Sequence, residues 1–238
     1  MNFVKIDAFD LDDLWFQCLL KIIDSGHIYT IDRGSYKGQK RLEFDMVFLQ
    51  VANPGHQIIP IIPEGMNITP PTSKENVERY ISYILTGERS PKEDYTYGER
   101  LTLFEEHFKR SDGVEVKHTN QIRAVIDMYK KDGYGTNQAC MEIGMPSDIG
   151  LNDPPCLRLI DTRIRYGKLH FLCYFRSWDL WGGLPSNLAA IQKLKEWMAE
   201  EIGVEDGELM ACSKGLHLYD YNWPHAELRT NKKILLEK

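Results

Sequence analysis

Cys156 has the position of a reactive group. It follows Pro154 and Pro155, which stiffen the backbone, and it directly precedes an apolar segment that reads as a strand. A thiol at such a loop-to-strand junction can reach a cleft, and a nearby cation lowers its pKa and makes it a nucleophile. The blander fate of a lone cysteine, a small buried hydrophobe, is commoner, and spacing alone favours it. The segment FRSWDLWGGLPSN (175–187) sets Arg176, Ser177 and Asp179 at the end of a strand, then Gly182, Gly183, a proline and Asn187 before a helix. An arginine beside a hydroxyl suits an oxyanion or phosphate. Asn187 equally suits a helix N-cap, and Asp179 a turn or capping carboxylate. In HLY (217–219), His217 and Tyr219 lie two apart and hence on one face of a strand, where they either bind a sugar hydroxyl or form a polar rim. Arg33, in the turn DRGS, and Arg123, near a helix start, are further cations, each weak alone because arginines are mostly solvated. There is no HExxH, P-loop or GxGxxG, and the seven histidines show no ligand spacing, so no metal is expected.

These residues need elements to hold them. Leu11, Leu14, Trp15, Cys18, Leu19, Ile22 and Ile23 recur at helical spacing, with Asp10 or Asp12 as N-cap and Gly26 past the end. A strand is expected over 41–51, and a proline-rich connection over 53–72. Helices are expected around Val77–Leu85, over 99–109, and after Thr119 or Asn120. The stretch 131–155 is too long to be a passive connection. LRLIDTRIRYGKLHFLCYFRS reads as two strands around a turn at Tyr166–Lys168, the second buried and central. A helix over 188–202 and a strand pair or bent strand in GELMACSKGLHLY complete the chain. Helices and strands mix without βαβ alternation, so a single α+β or mixed-sheet domain over residues 1–238 is expected.

The chain has 238 residues, of which 42% are hydrophobic, so a sizeable core can be buried and disorder is excluded. With 29 basic against 35 acidic residues the net charge is −6, which argues against a generic polyanion-binding surface. A small anion needs only a few placed arginines. The start carries no basic-then-apolar leader, and no apolar run is long enough to cross a bilayer. Five scattered cysteines without a CxxC pair suit free thiols in a reducing cytoplasm.

Taken jointly, PPC (154–156), RSWDLWGGLPSN (176–187) and HLY (217–219) resemble thymidylate synthase in order and near spacing. YTYGER (95–100) is similar to the family's tyrosine-glycine segment and DRG (32–34) to its phosphate loop. The matches span about residues 10–225, and the form is the short, archaeal-type one. The resemblance implies that Cys156 adds to C6 of a pyrimidine, with Arg176 binding phosphate and helping to hold the thiolate. Ser177 and Arg33 would complete the phosphate site. The fold would be a large twisted mixed sheet flanked by helices, and Arg123 would reach the partner's site in a homodimer whose sheets pack back to back. His217 and Tyr219 would bind the sugar 3′-hydroxyl, and Tyr97 would assist proton removal from C5. Asp179 would face a pterin, and Gly183 would allow close approach of base and pterin. Asn187 would read uracil over cytosine, and Glu64, in IIPEG, is the candidate proton-relay glutamate.

The implied reaction is reductive methylation of dUMP to dTMP. Its cosubstrate would be 5,10-methylenetetrahydrofolate or a tetrahydromethanopterin-type donor. Departures from the family pattern occur around the nucleophile, the phosphate site and the pterin site. Leu157 replaces the histidine that often follows the nucleophile, Phe175 the glutamine before Arg176, and Ile122 the first of two partner-donated arginines, while Gly182 and Ser186 stand where bulkier apolar residues usually pack on the pterin. A pyrimidine-nucleotide 5-hydroxymethylase on the same fold, or a non-catalytic nucleotide- or RNA-binding relative, is the alternative.

Overall fold

The computed structural model describes residues 1–235. Its strands are β1 (Phe3–Ala8), β2 (His27–Thr30), β3 (Lys40–Glu43), β4 (Met46–Val51), β5 (Phe104–Arg110), β6 (Gly113–Thr119), β7 (Cys140–Glu142), β8 (Leu157–Arg165), β9 (Lys168–Phe175), β10 (Trp178–Asp179), β11 (Glu205–Ser213) and β12 (Leu216–Tyr219). Its helices are α1 (Leu11–Ser25), α2 (Lys74–Leu85), α3 (Tyr97–Thr102), α4 (Gln121–Asp132), α5 (Gly183–Ile202) and α6 (Trp223–Thr230). The main sheet has six strands in the order β1-β4-β11-β9-β8-β7, with parallel and antiparallel pairs mixed. A second sheet runs β10-β12-β3-β2, and β5 and β6 form a separate hairpin. This is the mixed α+β architecture expected. No helix among the described residues is long and apolar enough to cross a membrane.

Helix α1 forms as its pattern predicts. Asp10 accepts the Asp13 N–H at 3.0 Å, and all seven apolar residues on its inner face are buried. Its Trp15 is fully buried, and the indole N–H donates to the carbonyls of Leu180 (3.2 Å) and Trp181 (3.3 Å), which ties α1 to the segment leading into α5. Helix α5 begins at Gly183, five residues before the expected start, because Asp179 accepts the N–H groups of Gly182 and Gly183, both at 2.9 Å. Asn187 is thereby carried inside the second turn, so it is not an N-cap.

Two other expectations are corrected. The continuous strand over 41–51 is two strands in different sheets. Phe44 is buried, and its N–H bonds the Leu216 carbonyl at 3.0 Å, which turns the chain from one sheet to the other. The helix over 99–109 stops at Thr102, and Phe104–Arg110 pairs with the β-branched Val114 and Val116 strand instead. Strands β1, β2, β6, β7 and β10 are additional to those expected. Gly98 lets α3 pack on the end of α2, since a Cβ there would meet the Thr86 and Tyr83 carbonyl oxygens at 2.0 and 2.3 Å.

A buried ionic clamp joins α3 to the start of β8. Arg100 donates to both oxygens of Asp148 (2.8 and 2.7 Å), and Arg158 adds a third charged bond at 2.8 Å. Burial pushes the Asp148 carboxyl up, but the two guanidiniums and the Met145 N–H outweigh it and hold the pKa down at about 2. Gly144 is needed beside the clamp, because a Cβ would lie 2.3–2.4 Å from the Arg158 guanidinium. Asp148→Ala strands two cations and should cost about 3–5 kcal/mol in urea unfolding. In the wild type the depressed pKa means that this stabilisation is complete above about pH 4 and fades as pH falls towards 2.

Candidate active site

The site forms where strands leave the six-stranded sheet. Cys156 immediately precedes β8, and its carbonyl accepts the Arg176 N–H at 2.8 Å just past the end of β9. The Arg176 side chain turns back over the same loop, donating through Nε to the Pro155 carbonyl (3.1 Å) and through Nη2 to the Pro154 carbonyl. Strand β10 pairs with β12, setting Asp179 opposite His217, while β12 pairs with β3 and sets His217 opposite Glu43 and Tyr219 opposite Arg41. The sequence-distant segments around residues 41, 156, 176 and 217 therefore converge.

Two cavities flank this convergence. One, of about 500 Å³, is lined by Arg33, Gly34, Asn152, Pro154, Arg158 and Arg176, so three guanidiniums share it. The other, of about 810 Å³, has the rings of Tyr80, Tyr83, Tyr95 and Tyr97 in its wall, with Asp153 and Ser186. The Pro-Pro-Cys segment runs between them, Asp153 touching one and Pro154 the other. Cys156 is near enough to Tyr80, Tyr95 and Tyr97 to influence all three phenols.

Burial dominates the electrostatics. The Cys156 thiol is pushed up chiefly by burial; Arg176, Arg41 and Arg158 pull it down and Asp153 pushes it up, but burial wins. Arg176 thus acts on the thiol in the direction of thiolate, and burial outweighs it. His217 is buried, and burial, aided by Arg41 and Arg176, lowers its pKa to about 3. The ring is neutral near pH 7, its Nδ1–H donates to the Gly215 carbonyl (2.8 Å), and Nε2 is left as an unpartnered acceptor. That tautomer accepts from a hydroxyl. The Tyr97 oxygen accepts the Leu157 N–H at 3.2 Å, and burial keeps its phenol protonated with a hydrogen free to donate.

A model of the thymidylate synthase family matches residues 86–235, well over half of the chain. It belongs to that family. The "Putative thymidylate synthase" of Methanosarcina mazei is 32% identical over 222 residues, covering 93% of this chain and 92% of that one. Its namesake in Methanosarcina acetivorans is 31% identical over the same shares. The "Deoxyuridylate hydroxymethyltransferase" of Bacillus phage SP01 is 35% identical over 130 residues, 52% of this chain and 33% of the phage protein. As a member of the thymidylate synthase family the chain is a methyltransferase-type enzyme.

Most of the residues that the family resemblance singled out meet here. Tyr97, Arg33 and Arg176 line the two cavities, Cys156, Ser177, His217 and Tyr219 lie at the strand ends beside them, and Asn187, on α5, reaches Trp178 and Tyr80. Asp179 is close by, but its carboxylate is turned into the start of α5 and accepts the N–H groups of Trp181, Gly182 and Gly183. Capping is therefore the work its hydrogen bonds do, and Gly183 fits because its Cβ would lie 3.1 Å from that of Asp179. Two residues stand apart. Arg123, on α4, pairs with Glu201 (3.1 Å) and lies over the Trp197 ring, lining neither cavity of its own chain. Glu64 is exposed in the turn between Pro63 and Met66 and also lines neither cavity.

Sequence reasoning missed Arg41, Arg158, Tyr80, Tyr83 and Trp178. Tyr80 and Tyr83, three apart on α2, carried a readable face signal. Arg158, two residues past Cys156, shares its side of the strand start. Arg41 gave no signal, because its approach to His217 depends on pairing across 176 residues.

Alkylation of Cys156 by iodoacetamide, followed by mass spectrometry across pH 6–10, should show a midpoint above that of an ordinary thiol. Arg176→Gln removes the largest contribution favouring thiolate and should move the midpoint higher still. A lower midpoint in the variant would contradict this balance.

Proposed function

We propose that this protein methylates dUMP reductively to dTMP, with Cys156 as the covalent nucleophile. The observation that carries the reading is the junction itself. The Pro-Pro-Cys segment that carries the thiol is tied through its three carbonyls to the backbone and side chain of Arg176, which shares a cavity with Arg33, beside a wall of tyrosines. In this reading the phosphate lies among Arg33, Arg176 and Arg158, and Ser177 adds a hydroxyl. His217 Nε2 accepts from the sugar 3′-hydroxyl, with Tyr219 beside it. The Cys156 sulfur bonds to C6, electrons move to O4, and C5 becomes nucleophilic. The thiol proton passes to water as the S–C6 bond forms, and C5 then bonds to the one-carbon unit. The C5 proton passes to a water held by the hydroxyl of Tyr97, which is fixed against the backbone next to Cys156. The one-carbon unit, released from its carrier, is left as an exocyclic methylene, and addition of hydride to that methylene expels sulfur from C6 and regenerates the thiolate.

The cosubstrate in this reading is a reduced pterin, methylenetetrahydrofolate or a tetrahydromethanopterin-type donor. Flat tyrosine walls suit a planar ring, and Arg79 and Lys92 at the same cavity suit an acidic tail. When bound, such a donor supplies a one-carbon unit and a hydride. Hydroxymethylation, with water in place of hydride, is the second reading, favoured by the named activity of the phage relative. Cys156→Ser should reduce dUMP-dependent turnover by about 10³-fold or more. Undiminished turnover would sink the proposal, and the mass of the wild-type product separates methyl from hydroxymethyl.

The homodimer belongs to this reading too, as does a reducing cytoplasm for five free thiols. One face of the six-stranded sheet packs on the helices. The other carries half-buried Phe48, Cys212 and Tyr174 in one cross-strand row and Met210 and Leu172 in the next. A second copy of the chain covers these rows in the proposed assembly, and the single domain over 1–238 is its protomer. Met210→Arg should convert a dimer to monomer in sedimentation velocity and lower turnover with it. A wild-type monomer at micromolar concentration would rule the assembly out.

A further inference from the structure

Asn187 makes two hydrogen bonds that differ in what they permit. Its Oδ1 accepts from Trp178 Nε1 at 2.9 Å, and its Nδ2 donates to Tyr80 Oη at 2.8 Å. A phenol hydroxyl both donates and accepts, so Tyr80 would tolerate either orientation of the amide. An indole N–H only donates. Rotating the amide by 180° would set Nδ2 against Nε1–H of the buried Trp178, donor against donor. Trp178 thus defines which end of the carboxamide is oxygen.

Trp178 is itself rigidly placed. Its ring is 2% exposed and stacks on Phe175 with centroids 3.8 Å apart and planes 3° from parallel. Its backbone N–H donates to the Gly215 carbonyl at 2.9 Å, and β10 pairs it with Leu216. Swinging the ring away would break its stack on Phe175 and take it out of the packed interior.

After these two bonds, Asn187 keeps one acceptor lone pair on Oδ1 and one hydrogen on Nδ2. Uracil presents an acceptor at O4 and a donor at N3; cytosine presents a donor at N4 and an acceptor at N3. The two bases are complementary to opposite orientations of one amide. An asparagine free to flip would serve both.

We propose that Trp178 is the specificity-positioning residue of the site, fixing the Asn187 amide in the orientation that reads uracil and denying the one that reads cytosine. This inference rests on the reading of the cleft as a pyrimidine-nucleotide site. Trp178 acts through Asn187, and it touches no substrate atom in this account.

The test is calorimetric binding of dUMP and dCMP to the full-length wild type and to Trp178→Phe, which keeps an aromatic ring on Phe175 and deletes only the donor. The wild type should prefer dUMP, and in Trp178→Phe the dUMP/dCMP ratio should fall about tenfold. Tyr80→Phe should leave that ratio within about twofold, whatever it does to affinity, because the phenol is indifferent to the amide's orientation. A ratio unchanged in a folded Trp178→Phe overturns the inference while leaving the nucleotide site standing. A wild type that binds neither nucleotide overturns both. Should Trp178→Phe not fold, the Trp178 indole ¹⁵N–H signal of the wild type decides instead. Slow solvent exchange, lost in Asn187→Ala, is the expected result, and fast exchange in the wild type refutes the bond.

Discussion

Three chain segments break at one level of the molecule, and the site is the result. Residues between β3 and β4, between β9 and β10, and between β11 and β12 each carry the chain from one sheet to the other. A small set of backbone bonds closes this seam: Phe44 N–H to Leu216, Trp178 N–H to Gly215, and Arg176 N–H to Cys156. Strands that end in a packed interior leave N–H and C=O groups that must be paired. Here they pair with one another across the seam, which brings side chains from four distant segments within reach. Gly215 sits at its centre, where a Cβ would lie 3.2 Å from the Arg176 carbonyl and 3.3 Å from Glu43 Oε2.

The same burial that makes the seam sets its charge state. Cys156, His217 and the tyrosines around them are all driven towards their neutral forms, mainly by burial. Glu43, opposite His217, is pushed up to about 7 by burial although Arg41 pulls it down. Charged side chains remain around the seam: Arg33, Arg158 and Arg176 line the smaller cavity with Asp148, and Arg79, Lys92, Glu93, Asp94 and Asp153 line the larger. Buried hydrogen-bonding groups beside three guanidiniums and one carboxylate would suit a ligand with an uncharged ring and an anionic end. Such a local excess of cations is invisible in a net charge of −6.

Local features were the readable ones. Helix α1 carried its own N-cap, apolar face and stop, so its sequence was sufficient. The β8–β9 pair was equally plain, since Tyr166 and Gly167, both with positive φ, turn it tightly. What failed depended on partners far along the chain. Residues 41–51 look like one strand because both halves are apolar, yet Phe44 is captured by Leu216. The Asp179 carboxylate moved the start of α5 forward by a turn, and Asn187 changed from an expected cap to a side chain held by Trp178 and Tyr80.

The sequence by itself determined which chemical groups were available: the Pro-Pro-Cys thiol, the arginine and hydroxyl after β9, and the histidine-tyrosine pair. Side-chain chemistry and motif order do not depend on distance. The tertiary structure alone decided how these groups are tuned. Burial raised the thiol above what Arg176 could offset, neutralised His217 with Nε2 as the acceptor, and turned Asp179 away into a helix cap. It also supplied Arg41, Arg158 and Trp178, whose part in the site exists only through contacts across the seam. Desolvation and long-range pairing are properties of the packed interior, and a linear sequence does not display them.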